Sequence, residues 1–299
     1  MQNYLVAMLV FAGFYGLMAL ALNLVWGLAG MINLGLVGFF ALGGYASALL
    51  TTRAGLPIAA GIAMAAALSA AAGAAMALVT ARLRGDYLAI VTLGFAEVVR
   101  LVASNEIWLT NGTDGISGIP GPSRGALPPE QFNLLYLGLT VAVVALAFLV
   151  TQRLRHSPFG RVLRAIRDDD QVAAVAGKRV LRFKTQAFAL SCGLLGLAGA
   201  MYGHYTSYIA PDVFVPLVTI YVVLALSAGG TGNNWGALLG ALLVISFQEA
   251  TRFAAHWAPG LSPVQVAALR EMVISVSLIL VLRLRPEGLL PERLPRLAD

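Results

Sequence analysis

Nine apolar runs follow one another along the chain, at residues 4–28, 31–51, 57–80, 87–103, 134–151, 185–209, 213–230, 235–255 and 268–284. About 20 apolar residues let a helix cross the hydrocarbon core of a bilayer. In lipid such a segment must satisfy its own backbone amides, which favours helices. The pattern predicts an all-α integral membrane protein, a bundle of about nine (8–10) transmembrane helices forming one domain over 1–299. Charged residues make up only 11% of the chain, against about 25% in soluble domains. The net charge of +6 therefore reads as Lys and Arg that fix orientation, and no nucleic-acid partner is expected. The first basic residue is Arg53, and the first run exceeds a signal-peptide core in length, so it is expected to stay as a span.

The second run is unusual. "GLAGMINLGLVGFFALGG" (27–44) carries Gly30, Gly35, Gly43 and Gly44 among its glycines. Such density predicts a broken or re-entrant helix beside the substrate path, because irregular backbone survives at membrane depth only where protein or water shields it. The third run, "AAGIAMAAALSAAAGAAMALV" (59–79), is almost all small residues, which lets helices approach closely. A compact bundle without a wide pore is expected.

Orientation follows from the basic residues. Nine of the 20 Lys and Arg fall in 152–184: Arg153, Arg155, Arg161, Arg164, Arg167, Lys178, Arg179, Arg182 and Lys184. This loop and the tail at 285–299 are placed in the cytoplasm by the positive-inside rule. The Arg82–Arg84 turn is then cytoplasmic, residues 104–133 form an external loop, and nine spans put the N-terminus outside.

Chemistry-bearing motifs are few. No GxxxxGK[ST] loop, HExxH or GxSxG is present, so neither nucleotide hydrolysis nor a nucleophilic enzyme is expected of this chain. Cys192 lies in an apolar run, and His156, His204 and His256 have no ligand spacing, so no metal site is expected. His204 and Asp212 are expected to be solvated at an external turn. Glu97 with Arg100, and Glu249 with Arg252, are i,i+3 pairs inside apolar runs. Each pair can neutralise itself on one helix face. Two readings stay open for them, a polar path or a structural ion pair near the interface. An ion-coupled transporter working alone would use Glu97 or Glu249 as its proton site. The glycines of "SAGGTGNNWGALLGALL" read as a tight cytoplasmic turn with close helix packing after it. "LTNGTDGISGIPGP" (109–122) reads as a structured external loop.

The stretch "GRVLRAIRDDDQVAAVAGKRVLRFK" (160–184) interrupts the apolar chain. Asp168 is expected to cap a short helix over 169–176, with Asp169 and Asp170 in its first turn. Gly177 is expected to end it, with Lys178 and Arg179 following. Its body, Gln171, Val172, Ala173, Ala174, Val175 and Ala176, is too short to span and nearly free of long charged side chains. A small-residue surface on a basic-flanked platform suits docking of another protein, and a helix resting on anionic lipid is the alternative.

"SPFGRVLRAIRDDDQVAAVAG" resembles the coupling-loop region of permease subunits of bacterial ABC importers, in particular branched-chain amino acid permeases of the M type. "LRGDYLAIVTLGFAEVVRLV", "LTNGTDGISGIP", "GGTGNNWGALLGALL" and "NLVWGLAGMINLG" resemble further stretches of that family. The Glu-Ala-Ala-x-x-x-Gly signature of many importer permeases is only partly kept, at Gln171, Val172, Ala173 and Gly177, and Ala237 stands where relatives are expected to have proline. The resemblance implies a multi-pass subunit of the inner membrane that binds no cofactor itself. It implies ATP and Mg on two cytoplasmic ATPases, a second homologous permease and an external binding protein. It implies ATPase contact through 168–177. Branched-chain amino acids are the first expected substrate, with urea, short amides or aromatic acids as alternatives.

Overall fold

A computed structural model describes residues 2–81, 83, 85–254, 263–284 and 287–292. Twelve helices occur among them: α1 (Gln2–Leu22), α2 (Leu36–Thr52), α3 (Ile58–Val79), α4 (Asp86–Asn105), α5 (Ile107–Thr110), α6 (Pro129–His156), α7 (Pro158–Asp168), α8 (Asp170–Val175), α9 (Val180–Thr206), α10 (Pro216–Gly229), α11 (Asn234–Ala254) and α12 (Pro263–Leu284). Among the described residues, six segments are long and apolar enough to cross a membrane: Asn3–Gly27, Ile58–Val79, Asp86–Asn105, Pro129–His156, Val180–Thr206 and Pro211–Gly229. The protein is therefore an all-α multi-pass membrane protein. Its β structure among the described residues is confined to β1 (Ile116–Ser117) and β2 (Tyr208–Ile209), an antiparallel pair with Ile116 opposite Ile209, and an isolated bridge between Arg124 and Leu127.

The core is built on α2, which is enclosed by α3, α4 and α9. Glycine makes this possible. A Cβ on Gly43 would collide with the backbone of Gly196, one on Gly199 with the carbonyl of Phe40, and one on Gly73 with Cys192. α2 and α9 meet backbone to backbone, and α3 meets α9 with glycine against small side chains, as small-residue seams allow in lipid. Cys192 is a free, buried thiol in the seam. On the other side, α1 packs against α6, α9 and α11. α10 and α11 form a hairpin in which Gly229 faces Gly236 and Gly240 faces Ala225.

The break in the Gly-rich run lies earlier than the glycine count suggests. α1 passes into one π-helical stretch, Asn23–Gly27. Leu28 and Ala29 are again α-helical, and the chain then unwinds at Gly30 and re-enters helix at Leu36. Gly30 takes a left-handed φ of 68° there, a conformation that suits glycine. α2 itself is continuous through Gly43 and Gly44, which serve as contact points with α9. Close packing, not interruption, explains that half of the glycines.

The external loop is held against the end of α9. His204 is buried and not solvated: its Nδ1 lies 2.6 Å from the Pro120 carbonyl and its Nε2 lies 2.8 Å from Ser47 Oγ. Loop 112–121 folds back over the helix end and removes His204 from solvent. Asp212 stays exposed, as expected. Arg124 donates to the Tyr205 carbonyl and lies 4.3 Å from the Phe132 ring centroid.

Candidate functional site

Two constellations stand out, one at the end of the bundle that carries α7 and α8, and one on the face of α4.

The 157–184 segment folds as two short helices rather than one. Ser157 caps α7, accepting from the Gly160 amide, and Pro158 occupies the first turn, where its missing N–H costs nothing. Gly160 allows the elbow, since a Cβ there would meet the Leu154 and Arg155 carbonyls. Leu163 and Ile166, one turn apart, are buried. Asp168 ends α7 and does not cap the next helix. Asp169 does: its carboxylate accepts from Gln171 N at 2.8 Å and Val172 N at 3.1 Å. The cap moves one residue along because Asp168 still has its place in α7, while Asp169 is extended, with φ −157° and ψ 114°. Asp170 sits in the first turn of α8 and pairs with Lys184 of α9 at 3.1 Å.

α8 ends as expected. Gly177 has φ 77°, its amide donates to Ala174 O, and Lys178 N donates to Ala173 O at 3.1 Å. This is the paired-bond C-cap that a left-handed glycine makes. The faces of α8 separate sharply. Ala173 is 4% exposed, whereas Val172 is 65% and Val175 91% exposed. Gln171, Ala174 and Ala176 are also exposed. The small-residue stretch therefore has one inward residue and an outward apolar knob formed by Val172 and Val175.

Ties that sequence reasoning missed fix this platform to the membrane helices. Arg167 Nη1 donates to Gly27 O at 2.5 Å and to Glu292 Oε2 at 2.8 Å. Arg164 lies 3.7 Å from the other Glu292 oxygen. Residues 287–292 form a strap under the bundle: Leu289 N donates to Ala228 O and Leu290 N to Gly229 O, both at 2.9 Å. Asn233 Nδ2 donates to Leu290 O at 3.1 Å. Asn23, in the π-helical stretch, accepts from Gly232 N and donates to Asn234, each at 2.8 Å. Asn234 in turn donates to Gln152 at 3.0 Å. A cavity of about 370 Å³ opens between the platform and the helices above, lined in part by Gly30, Thr80, Leu88, Arg167, Asp170 and Lys184. Gly35 presses on the backbone of Thr92, whose hydroxyl accepts from Leu34 N at 3.1 Å. A lone Asn at 23 in an apolar run was the one sequence signal of this hub. Glu292 and Arg167 gave none, because each lies in a stretch that reads only as charge.

On α4, Leu88, Ala89, Thr92, Ala96 and Ala103 are buried. Glu97 and Arg100 lie off that face and pair bidentately: Arg100 Nε donates to Glu97 Oε2 at 2.9 Å, and Nη2 to Oε1. Their side chains are 39% and 27% exposed. Glu249 accepts from Tyr4 Oη, a link from α11 to the start of α1. The Arg252 side chain, both arginines of the 82–84 turn, His256 and most of the 285–299 tail lie outside the described residues.

Comparison with known proteins agrees with this architecture. The family described as branched-chain amino acid transport system, permease component, matches residues 4–282. A Salmonella typhimurium protein, high-affinity branched-chain amino acid transport system permease protein LivM, is 32% identical over 95% of this chain and 69% of its own length. A Methanocaldococcus jannaschii protein described as a probable permease of the same name is 28% identical over 95% of this chain and 92% of its own. The Escherichia coli permease LivH is 25% identical over 92% of this chain and 91% of its own. No solved structure matches the chain significantly. A multi-pass helical chain matched over nearly its whole length belongs to the family of branched-chain amino acid transport permease components.

Proposed function

We propose that this chain is the membrane-spanning subunit of an ATP-driven importer and provides the path for branched-chain amino acids across the bacterial cytoplasmic membrane. The observation that carries this reading is the α7–α8 platform. It presents an exposed apolar knob, Val172 and Val175, in a chain whose sequence holds no nucleotide-binding loop. Two cytoplasmic ATPases would carry ATP and Mg and dock on residues 168–177. A second permease of the same family would complete the path, and an external binding protein would deliver substrate. That two differently named permeases, LivM and LivH, both match this chain supports such a pair.

We read nine spans. The six long apolar segments are joined by α2, a shorter apolar helix, and by α11 and α12, of 21 and 22 residues. The contacts support this topology. The π-helical stretch, the α10–α11 turn and the strap gather at the platform end, which we place in the cytoplasm. Ser47, Pro120 and His204 meet at the opposite end. ATPase closure would pull α7, and Arg167 would pass the motion to Gly27 and the unwound residues up to Gly35. Gly30 and Gly35 then act as the flexible positions, and Gly43 and Gly44 as packing points. Ligand-driven population shift between two access states needs such a link between motor and gate.

The test is reconstitution into vesicles with and without the ATPases. Leucine uptake that requires ATPases, ATP and binding protein is expected. Proton-driven uptake by this chain alone would overturn the reading.

A further inference from the structure

We infer that the Glu97–Arg100 pair on α4 is a way-station for a zwitterionic α-amino acid, with Arg100 taking its carboxylate and Glu97 its ammonium group. This rests on the reading of the chain as an amino acid permease.

α4 packs against the bundle along one side only. On its other side, Ile90, Gly94, Val98 and Leu101 are exposed, and they follow one another at spacings of three and four residues, which is a single helical stripe. Glu97 and Arg100 lie along the edge of that stripe. Glu97 is eight residues below the external end of α4 at Asn105, or about 12 Å at 1.5 Å per residue. Charges at that depth are costly against hydrocarbon and belong on a protein-facing or water-facing surface. Arg100 does not reach up toward the headgroups, as a long cation near a helix end can. It turns back one turn and binds Glu97 with two nitrogens.

The helix face beside the pair is open. A Cβ on Gly94, one turn below Glu97, would meet nothing within 4 Å. Gly94 is exposed one turn from the carboxylate, and Ile90, Val98 and Leu101 line the same stripe with apolar surface. The Arg100 cation, the Glu97 anion and a branched apolar strip match the three parts of a small amino acid. These parts are an ammonium, a carboxylate and an aliphatic side chain. Guanidinium binds carboxylate bidentately, so the ligand would replace one charge-assisted pair by two. No net charge has to be moved into the membrane, because pair and ligand are each neutral overall.

The test uses the complete complex in vesicles, with wild-type uptake of leucine as the control for the permease reading itself. If wild type shows no ATP-dependent uptake, that reading fails, and the way-station fails with it. If wild type transports, four variants decide the inference alone. E97Q and R100Q are expected to lower leucine uptake by about tenfold or more, as truncating one member of a charged contact does. The charge swap Glu97→Arg with Arg100→Glu restores an ion pair on the same helix face but reverses its polarity toward the ligand. Uptake is expected to stay low in the swap, whereas a purely structural pair would be rescued. Gly94→Cys supplies a direct reading, since the native Cys192 is buried. A water-soluble thiol reagent is expected to label Cys at 94, and leucine with binding protein and ATP is expected to slow that labelling several-fold. Full rescue by the swap would overturn the way-station. So would wild-type uptake by an assembled E97Q complex, or labelling at 94 that is absent or indifferent to leucine.

Discussion

Arg167 Nη1 of α7 lies 2.8 Å from Oε2 of Glu292, joining the platform to a strap from the far end of the chain. Both side chains are mostly covered, at 25% and 12% exposure. Glu292→Gln should therefore leave Arg167 and Arg164 short of a counter-charge and weaken the strap by about 1–3 kcal/mol. Hydrogen exchange at the Leu289 and Leu290 amides should speed up in the variant. Unchanged exchange would show that the strap is held by its backbone bonds alone.

The two faces of α8 separate docking from folding. Val175→Glu should leave insertion and thermal stability near wild type, because the side chain is 91% exposed, while co-purification with the ATPases falls. Ala173→Glu should fail differently. Ala173 is 4% exposed, so a carboxylate there is buried without a partner, which costs several kcal/mol. Limited proteolysis at 169–178 distinguishes a loosened α8 from an intact helix with a repelled partner.

The seam between α2 and α9 has no room for a methyl group. Gly199→Ala drives a Cβ into the Phe40 carbonyl and should lower stability by about 1–3 kcal/mol or more, as overpacking does. Gly138→Ala on α6, where a Cβ meets nothing, should be neutral or mildly stabilising. Denaturation midpoints in detergent give the comparison.

His204 joins α9 to α2 and to the external loop. His204→Ala removes partners from Ser47 Oγ and Pro120 O, at a cost of about 1–3 kcal/mol for the buried groups left behind. Protease cleavage within 112–124 should accelerate, with the platform end unaffected.

The six long apolar segments were readable because apolar length alone determines them, and Gly177 could be read because only its backbone freedom was at issue. The Asp168–Asp170 cap was misplaced by one residue. Three consecutive aspartates satisfy the same capping chemistry, and only the length of α7, set by Leu163 and Ile166 packing, selects Asp169. The glycines of 27–44 carried two meanings under one composition: Gly30 permits an unusual φ, whereas Gly43 permits a close neighbour, and that neighbour is 153 residues away at Gly196. His204 looked solvated because the loop that buries it comes from residues 112–121. Arg167 and Glu292 are 125 positions apart, and no local pattern links them.

The glycine seams have a mechanical consequence. Where two backbones touch with no side chains between them, there is no cushion that can repack as one helix slides along the other. α2 and α9 must then travel as a single stiff slab. Any alternation between outward and inward access has to be absorbed by joints at the slab's margins, and the unwound link at 30–35 is such a joint, entered just past the Gly27 carbonyl that the platform already grips.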